Sequence, residues 1–269
     1  NITQSGGTTA TSETLTTDNF TLVLNAQPNS NVVISITSGD LTEGTVSPAT
    51  LTFTSGNWNV VQTVTVTGVD DVTMDGNITY NVTASVVDGS SDNDYDPLAD
   101  QSVAVTNADN DAAGITVSAI SNNTTEAGVS ATFTVVLNTL PTNDVNIGLN
   151  SSNTGEGTIS TSSLAFTAGD WNIPKIVTVT GVDDNIIDGN ISYNIITDAS
   201  TSSDPNYNGI NPINVTVIND DNDFAGITLS KIAVATSEVL TTDNFTVVLN
   251  TQPNSDVVIS VTSGDLTEG

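Results

Sequence analysis

One stretch constrains this chain more than any other. From Thr65 to Asn77 it reads T-V-T-G-V-D-D, three further residues, then D-G-N, and the same frame returns from Thr178 to Asn190. Alternating β-branched residues that stop at paired aspartates describe a strand delivering carboxylates to a loop. Its return makes the chain a tandem array of one supersecondary plan.

The rest of the sequence repeats in step. N-I-T at Asn1 matches G-I-T at Gly114 and Gly226, and Glu13 matches Glu126 and Glu238. L-T-F-T-S-G-N-W (Leu51 to Trp58) matches L-A-F-T-A-G-D-W (Leu164 to Trp171), and N-A-D-N-D-A-A-G-I-T matches N-D-D-N-D-F-A-G-I-T. These matches divide the chain into repeats at 1–113 and 114–225, with a partial third at 226–269. The run from Thr11 to Gly44 returns at Thr236 to Gly269 with substitutions only at Thr14, Leu22, Ala26, Asn31 and Ile36. The first repeat is therefore closer to the third than to the second, as in a duplicated two-repeat unit, and the chain reads as a window of a longer array.

In the second repeat, seven strand-like runs are expected: 115–120 (A), 131–138 (B), 144–149 (C), 158–166 (D), 175–182 (E), 191–197 (F) and 213–219 (G). Gly, Asn, Pro and Asp punctuate them, and no window carries a helical apolar period. The fold expected is all-β, tandem immunoglobulin-like seven-stranded antiparallel β-sandwich repeats. Phe53, Phe133, Phe166, Trp58 and Trp171 are expected in the core or at its edge, and Tyr80 and Tyr193 to pack near the start of run F.

In such a sandwich every connection reverses direction, so alternate loops share an end. The A–B, C–D and E–F loops and the end of run G meet there. They bring together Glu126, Glu156, Asp183, Asp184, Asp188, Asp221 and Asp223 in the second repeat, and Glu13, Glu43, Asp70, Asp71, Asp75, Asp109 and Asp111 in the first. Asp92 and Asp204, in the F–G loops, belong to the opposite end, expected to receive the preceding repeat. Carboxylates crowded at one end repel each other unless a cation lies between them. An all-oxygen donor set suits Ca²⁺ better than Mg²⁺, and zinc lacks its His or Cys ligands.

The glutamate after run A, the D-D-x-x-x-D loop after run E and the closing D-N-D followed by A-G-I resemble the Calx-β domain. That resemblance spans both whole repeats and implies calcium ligation by Glu13, Asp70, Asp71, Asp75, Asp109 and Asp111, and by Glu126, Asp183, Asp184, Asp188, Asp221 and Asp223. Glu43 and Glu156 join by placement alone, because the family's D-Y before run D is missing here. E-G-T-(V/I)-S, F-T-x-G-x-W and V-T-V-T-G-V-D-D together also resemble the tandem repeats of giant bacterial surface adhesins, the gliding-motility adhesins of Bacteroidetes among them. The resemblance implies an exported, extracellular cell-surface filament carried along the envelope.

Charge narrows the partners. With 31 acidic and two basic residues the formal charge is −29, which opposes binding to nucleic acid or an anionic membrane. No apolar run is long enough for a spanning helix, and no signal peptide opens the chain. Without His or Cys, Ser-His and Cys-His catalysis are excluded, so no enzyme is expected. Two functions are left: a spacer whose partners are neighbouring repeats, or repeats that themselves grip a polysaccharide or partner cell surface. Six Tyr and Trp in all offer little aromatic platform for sugars, which favours the spacer.

Overall fold

The structure is a computed structural model describing residues 1–239 and 241–266. It divides into two compact units, Asn1–Ala113 and Gly114–Gly269, each described by itself. Residues 240 and 267–269 of the partial third repeat lie outside the description. Among the described residues, no helix is long and apolar enough to cross a membrane.

The first unit is built from β1 (Ile2–Gln4), β2 (Thr9–Ser12), β3 (Thr17–Leu22), β4 (Val32–Ser38), β5 (Gly44–Ser47), β6 (Thr50–Phe53), β7 (Gln62–Gly68), β8 (Ile78–Val86) and β9 (Gln101–Ala108). One sheet has the order β1-β3-β7-β5 and the other β2-β9-β8-β4-β6. Period-two alternation dictates the layering: Phe20, Val64, Val66, Val103 and Val105 point inward and are buried, while intervening threonines stay out. Phe53 closes the core.

The second unit repeats the plan with β10 (Ile115–Val117), β11 (Thr124–Thr125), β12 (Ser130–Leu137), β13 (Val145–Ser151), β14 (Gly157–Ile159), β15 (Ser163–Phe166), β16 (Lys175–Gly181), β17 (Ile191–Thr197), β18 (Thr201–Ser202) and β19 (Val215–Asp220). Its sheets run β10-β12-β16-β14 and β11-β19-β17-β13-β15, with β18 added to β13. Phe133 and Phe166 are buried, and Tyr80 and Tyr193 belong to the two cores. Trp58 and Trp171 are half-buried, and their carbonyls accept the N–H groups of Leu24 and Leu137, both at 3.1 Å.

The all-β sandwich is as expected, with three departures in strand layout, one being β18 in the expected F–G loop. Run A (115–120) yields only β10, which pairs with β12, and the stretch expected as the A–B loop adds β11, which joins the other sheet and lies parallel to β19. Run D divides, β14 pairing with β16 and β15 with β13. β10 and β14 edge one sheet and β11 and β15 the other, so a short bend lets successive segments cover two edges. In the first repeat the bends are Ser5–Gly7, where Gly6 and Gly7 take positive φ, and the Pro48 corner between β5 and β6. Proline cannot donate to a ladder, so pairing stops there.

After β19 the described residues form an antiparallel pair, β20 (Ile227–Leu229) with β21 (Val247–Leu249), and an isolated bridge between Ser237 and Thr241. Ile232, Val239, Val258 and Leu266 are 98, 81, 89 and 88% exposed, so no closed core forms among the described residues of 226–266.

Candidate metal centres

The site begins with a glycine. β7 ends at Gly68, and a Cβ there would lie 2.3 Å from the Ser12 carbonyl oxygen and 2.6 Å from Asn107 Oδ1. At Gly181 the corresponding distances are 2.3 Å to the Thr125 oxygen and 2.4 Å to Asn219 Oδ1. Only glycine lets β7 and β16 pass this close to β2 and β11 before turning into their acidic loops. A second glycine supports the site from below. A Cβ on Gly44 would fall 1.8 Å from the Tyr80 hydroxyl, and one on Gly157 1.9 Å from that of Tyr193. The buried phenols therefore lie against the backbone that carries Glu43 and Glu156.

Two asparagines tie these pieces together. Asn107, 1% exposed, donates through Nδ2 to Glu43 Oε2 at 3.2 Å and to the Val69 carbonyl at 3.1 Å, while its Oδ1 accepts from Thr11 Oγ1 at 2.9 Å. Asn219 does the same with Glu156 Oε2 (3.2 Å), the Val182 carbonyl (3.0 Å) and Thr124 Oγ1 (3.0 Å). Both residues open the repeated N-(A/D)-D-N-D motif, whose acids alone stand out in the sequence. The signal was present: along β9 the inward positions read Val103, Val105, Asn107, and an amide at an inward position needs buried partners.

The acids sort into two triads per repeat. Glu13, Asp109 and Asp111 each offer an oxygen, all within 4.8 Å of one another, and Glu43, Asp71 and Asp75 do likewise. Glu126, Asp221 and Asp223 form the first kind in the second repeat, and Glu156, Asp184 and Asp188 the second. Asp70 and Asp183 stand outside the triads; Asp70 Oδ1 accepts from Asn110 Nδ2 at 3.1 Å and Asp183 Oδ1 from Asn222 Nδ2 at 3.3 Å. The glutamates are deeply placed, Glu13 2%, Glu126 4%, Glu43 5% and Glu156 7% exposed.

Backbone amides hold part of each triad. Glu13 Oε2 accepts from Asn110 N–H and Glu126 Oε2 from Asn222 N–H, both at 2.9 Å. Asp109 takes Asp111 N–H on Oδ1 and Gly76 N–H on Oδ2, both at 2.7 Å. Asp221 takes Asp223 N–H at 2.7 Å and Gly189 N–H at 2.8 Å. These two N–H groups, that of Asp223 first, hold Asp221 below the usual carboxylate range.

Most of the resolved shifts in the triads go the other way. Burial, then neighbouring negative charge, raises Asp75, Asp111 and Asp223. Burial also raises Glu13, Glu43 and Glu126, partly offset by the donors Asn110, Asn107 and Asn222. Asp71 belongs to the Glu43 triad yet also pushes up Glu13, and Asp184 does the same to Glu126. The two triads of a repeat are thus electrostatically one system.

What these centres lack is positive charge. Asp111 Oδ2 and Asp223 Oδ2 are buried and find no hydrogen-bond donor. Both lysines are engaged elsewhere, Lys175 with Asp170 at 2.7 Å and Lys231 with Asp243. Buried, donorless carboxylate oxygens among like charges fit an oxygen-liganded cation and are costly otherwise.

The acids of the F–G loops have a local role. Asp92 and Asp204 are buried, and their oxygens are occupied by backbone amides. Asp92 accepts from Asn29, Ser30 and Asp94 N–H; Asp204 accepts from Thr142 and Asn206 N–H. The N–H groups, Ser30 first, lower the Asp92 pKa. These carboxylates clasp two loops of their own repeat.

No family model matches the chain, and no curated protein matches it. Among solved structures, CBD12 from CALX1.2 shares 13% identity over 76% of this chain and 82% of its own, at TM-score 0.31. Domains 4 and 5 of the S-layer protein SbsC share 13% over 70% of each chain at TM-score 0.30. The E. coli chaperone DraB shares 6% over 81% of this chain and 96% of its own, at TM-score 0.31. These are similarities among β proteins, too distant to carry over what any of them binds.

Proposed function

We propose that the repeats are non-catalytic, calcium-binding spacer modules of an extracellular bacterial cell-surface adhesin, and that bound calcium fixes how successive repeats are held. The observation that carries this reading is the pair Asp111 Oδ2 and Asp223 Oδ2, buried, donorless and surrounded by carboxylates. Glu13, Asp109 and Asp111 would hold one ion and Glu43, Asp71 and Asp75 another, with Asp71 between them. Glu126, Asp221 and Asp223, and Glu156, Asp184 and Asp188, are their counterparts. Calcium supplies the positive charge and the six to eight oxygen contacts that hard carboxylate sites satisfy. Affinity belongs to the extracellular class, Kd on the order of 10⁻⁴ to 10⁻³ M or tighter.

Position gives the ion its consequence. Asp111 is three residues from Gly114, where the next repeat begins, and Asp223 three from Gly226. Unneutralised, acids this near the junction in sequence repel one another over about one Debye length, ~8 Å, and favour many inter-repeat angles. Small-angle scattering of the whole chain tests this: chelation should shorten the maximum dimension and broaden the distance distribution, and calcium should restore both. Identical profiles with and without calcium would leave these carboxylates a solubilising role only.

A further inference from the structure

Two isoleucines stand in the most acidic loop of the second repeat. Ile186 and Ile187 lie between Asp184 and Asp188, and are 38% and 47% exposed. Apolar side chains flanked by candidate cation ligands need a reason to be on the surface.

The loop is fixed at both shoulders by the acids themselves. Asp184 Oδ1 accepts Ile186 N–H at 2.7 Å, Asp188 N–H donates to the Ile186 carbonyl at 3.0 Å, and Gly189 N–H donates to Asp221 at 2.8 Å. Between those shoulders it reaches the following repeat. The Asn185 carbonyl accepts Gln252 N–H at 2.7 Å, from the turn after β21. Ile187 lines a cleft of about 440 Å³ with Ala225, Ile227, Leu249 and Val257, all belonging to the junction or the partial third repeat.

We propose that the β16–β17 loop is an attachment latch for the next repeat, and that seating the latch and filling the Glu156–Asp184–Asp188 centre favour one another. This rests on the calcium reading above and adds the element through which it acts. The latch carbonyl at Asn185 and side chain at Ile187 sit one residue inside Asp184 and Asp188. Their placement follows where those two carboxylates point. Without a cation, oxygens within 4.8 Å of each other repel and spread the loop; a cation gathers them and presents Asn185 and Ile187 together. Coupling is reciprocal, so attachment strengthens ion binding by the factor that the ion strengthens attachment.

The test uses the whole chain, which contains no cysteine. Spin labels on Ala165→Cys (β15) and Val248→Cys (β21), both at exposed strand positions, report the distance across the latch by pulsed EPR. Saturating calcium should give one narrow distance, and chelator a broad one. Ile187→Asn removes the apolar contact without adding charge, and Gln252→Pro removes the donor from the other partner while leaving every carboxylate in place. Each should broaden the distribution in calcium and weaken calcium binding by the second repeat about five-fold or more. If calcium binds normally and both variants leave distance and affinity unchanged, the latch is wrong and the calcium reading survives. If the chain binds no calcium, both fail.

Discussion

At the residue scale, a single oxygen decides between readings. Asp223 Oδ2 is buried with no donor, and Asp223 is pushed up by burial and by Asp221, Asp183, Asp184 and Asp188. If the site exists for a cation, Asp223→Asn should raise the metal-free melting temperature while weakening calcium binding roughly ten-fold or more, since it removes both repulsion and a ligand. Titration calorimetry beside a thermal scan in chelator checks both halves; a lower metal-free melting temperature would contradict the repulsion. Asn219→Leu should act differently. It strands Glu156 and the Val182 carbonyl in the interior and should cost about 1–3 kcal/mol with or without calcium, measured by denaturant unfolding. The carboxylates were legible in sequence because charge at a strand exit stands out. The asparagine hub was not, because Asn is common throughout this chain and only burial reveals its work.

The element scale is where pH acts. Glu13, Glu43, Asp75, Asp111, Glu126 and Asp223 have raised values in the folded state. The folded, metal-free chain therefore binds protons more readily than the unfolded one, and these groups destabilise it at neutral pH. Lowering pH from about 7 towards 5 should raise its melting temperature. Asp40, Asp92, Asp221 and Asp243 are lowered, and Asp170 is held at about 2 by Lys175. Their stabilisation is present above the ordinary aspartate value and is lost as pH falls through their depressed values, so the metal-free curve should turn over below about pH 4. In calcium the slope between 7 and 5 should reverse, because protons then compete with the ion. Scanning calorimetry across this range checks the sign. Run boundaries were readable from period-two alternation in β16 and β17, but the division of run D and the extra strand β11 were not. Alternation shows which face is buried; it does not show which of two sheets an edge segment joins. Loop order brings the acids to one end; it does not show that they group there into two triads and leave Asp70 and Asp183 outside.

At the scale of the whole chain, the repeat period was plain from the returning motifs, and the third portion illustrates what a fragment of that period lacks. Its described residues pair β20 with β21, add one isolated bridge, Ser237 with Thr241, and leave Val258 and Leu266 almost wholly exposed. Hydrogen exchange should therefore show fast exchange across 226–266 and slow exchange in β12, β16, β17 and β19 of the same molecule. Comparable protection in both would mean that the third portion has closed a core of its own.

The parallel pairing of β2 with β9 and of β11 with β19 carries a mechanical consequence. The chain enters a repeat ahead of β2 and leaves it after β9, so tension between the two ends pulls these neighbouring strands in opposite directions along their length. The load falls on all their hydrogen bonds at once, in shear, instead of opening them one after another. β2 and β9 share four paired positions, Thr9↔Val105 to Ser12↔Ala108, whereas β11 and β19 share two, Thr124↔Asn219 and Thr125↔Asp220. Glu13 and Asp109 immediately follow the first pair, and Glu126 and Asp221 closely follow the second, so an ion in either triad rivets the sheared strands at their common end. Stretched in a single-molecule instrument, the second repeat should rupture at lower force than the first. Calcium should raise both forces, because rupture under load follows the unfolding rate and a rivet holds the native side of that barrier. A string of such modules would yield one at a time, the weaker first, and so act as a shock absorber whose strength is set by the calcium around it.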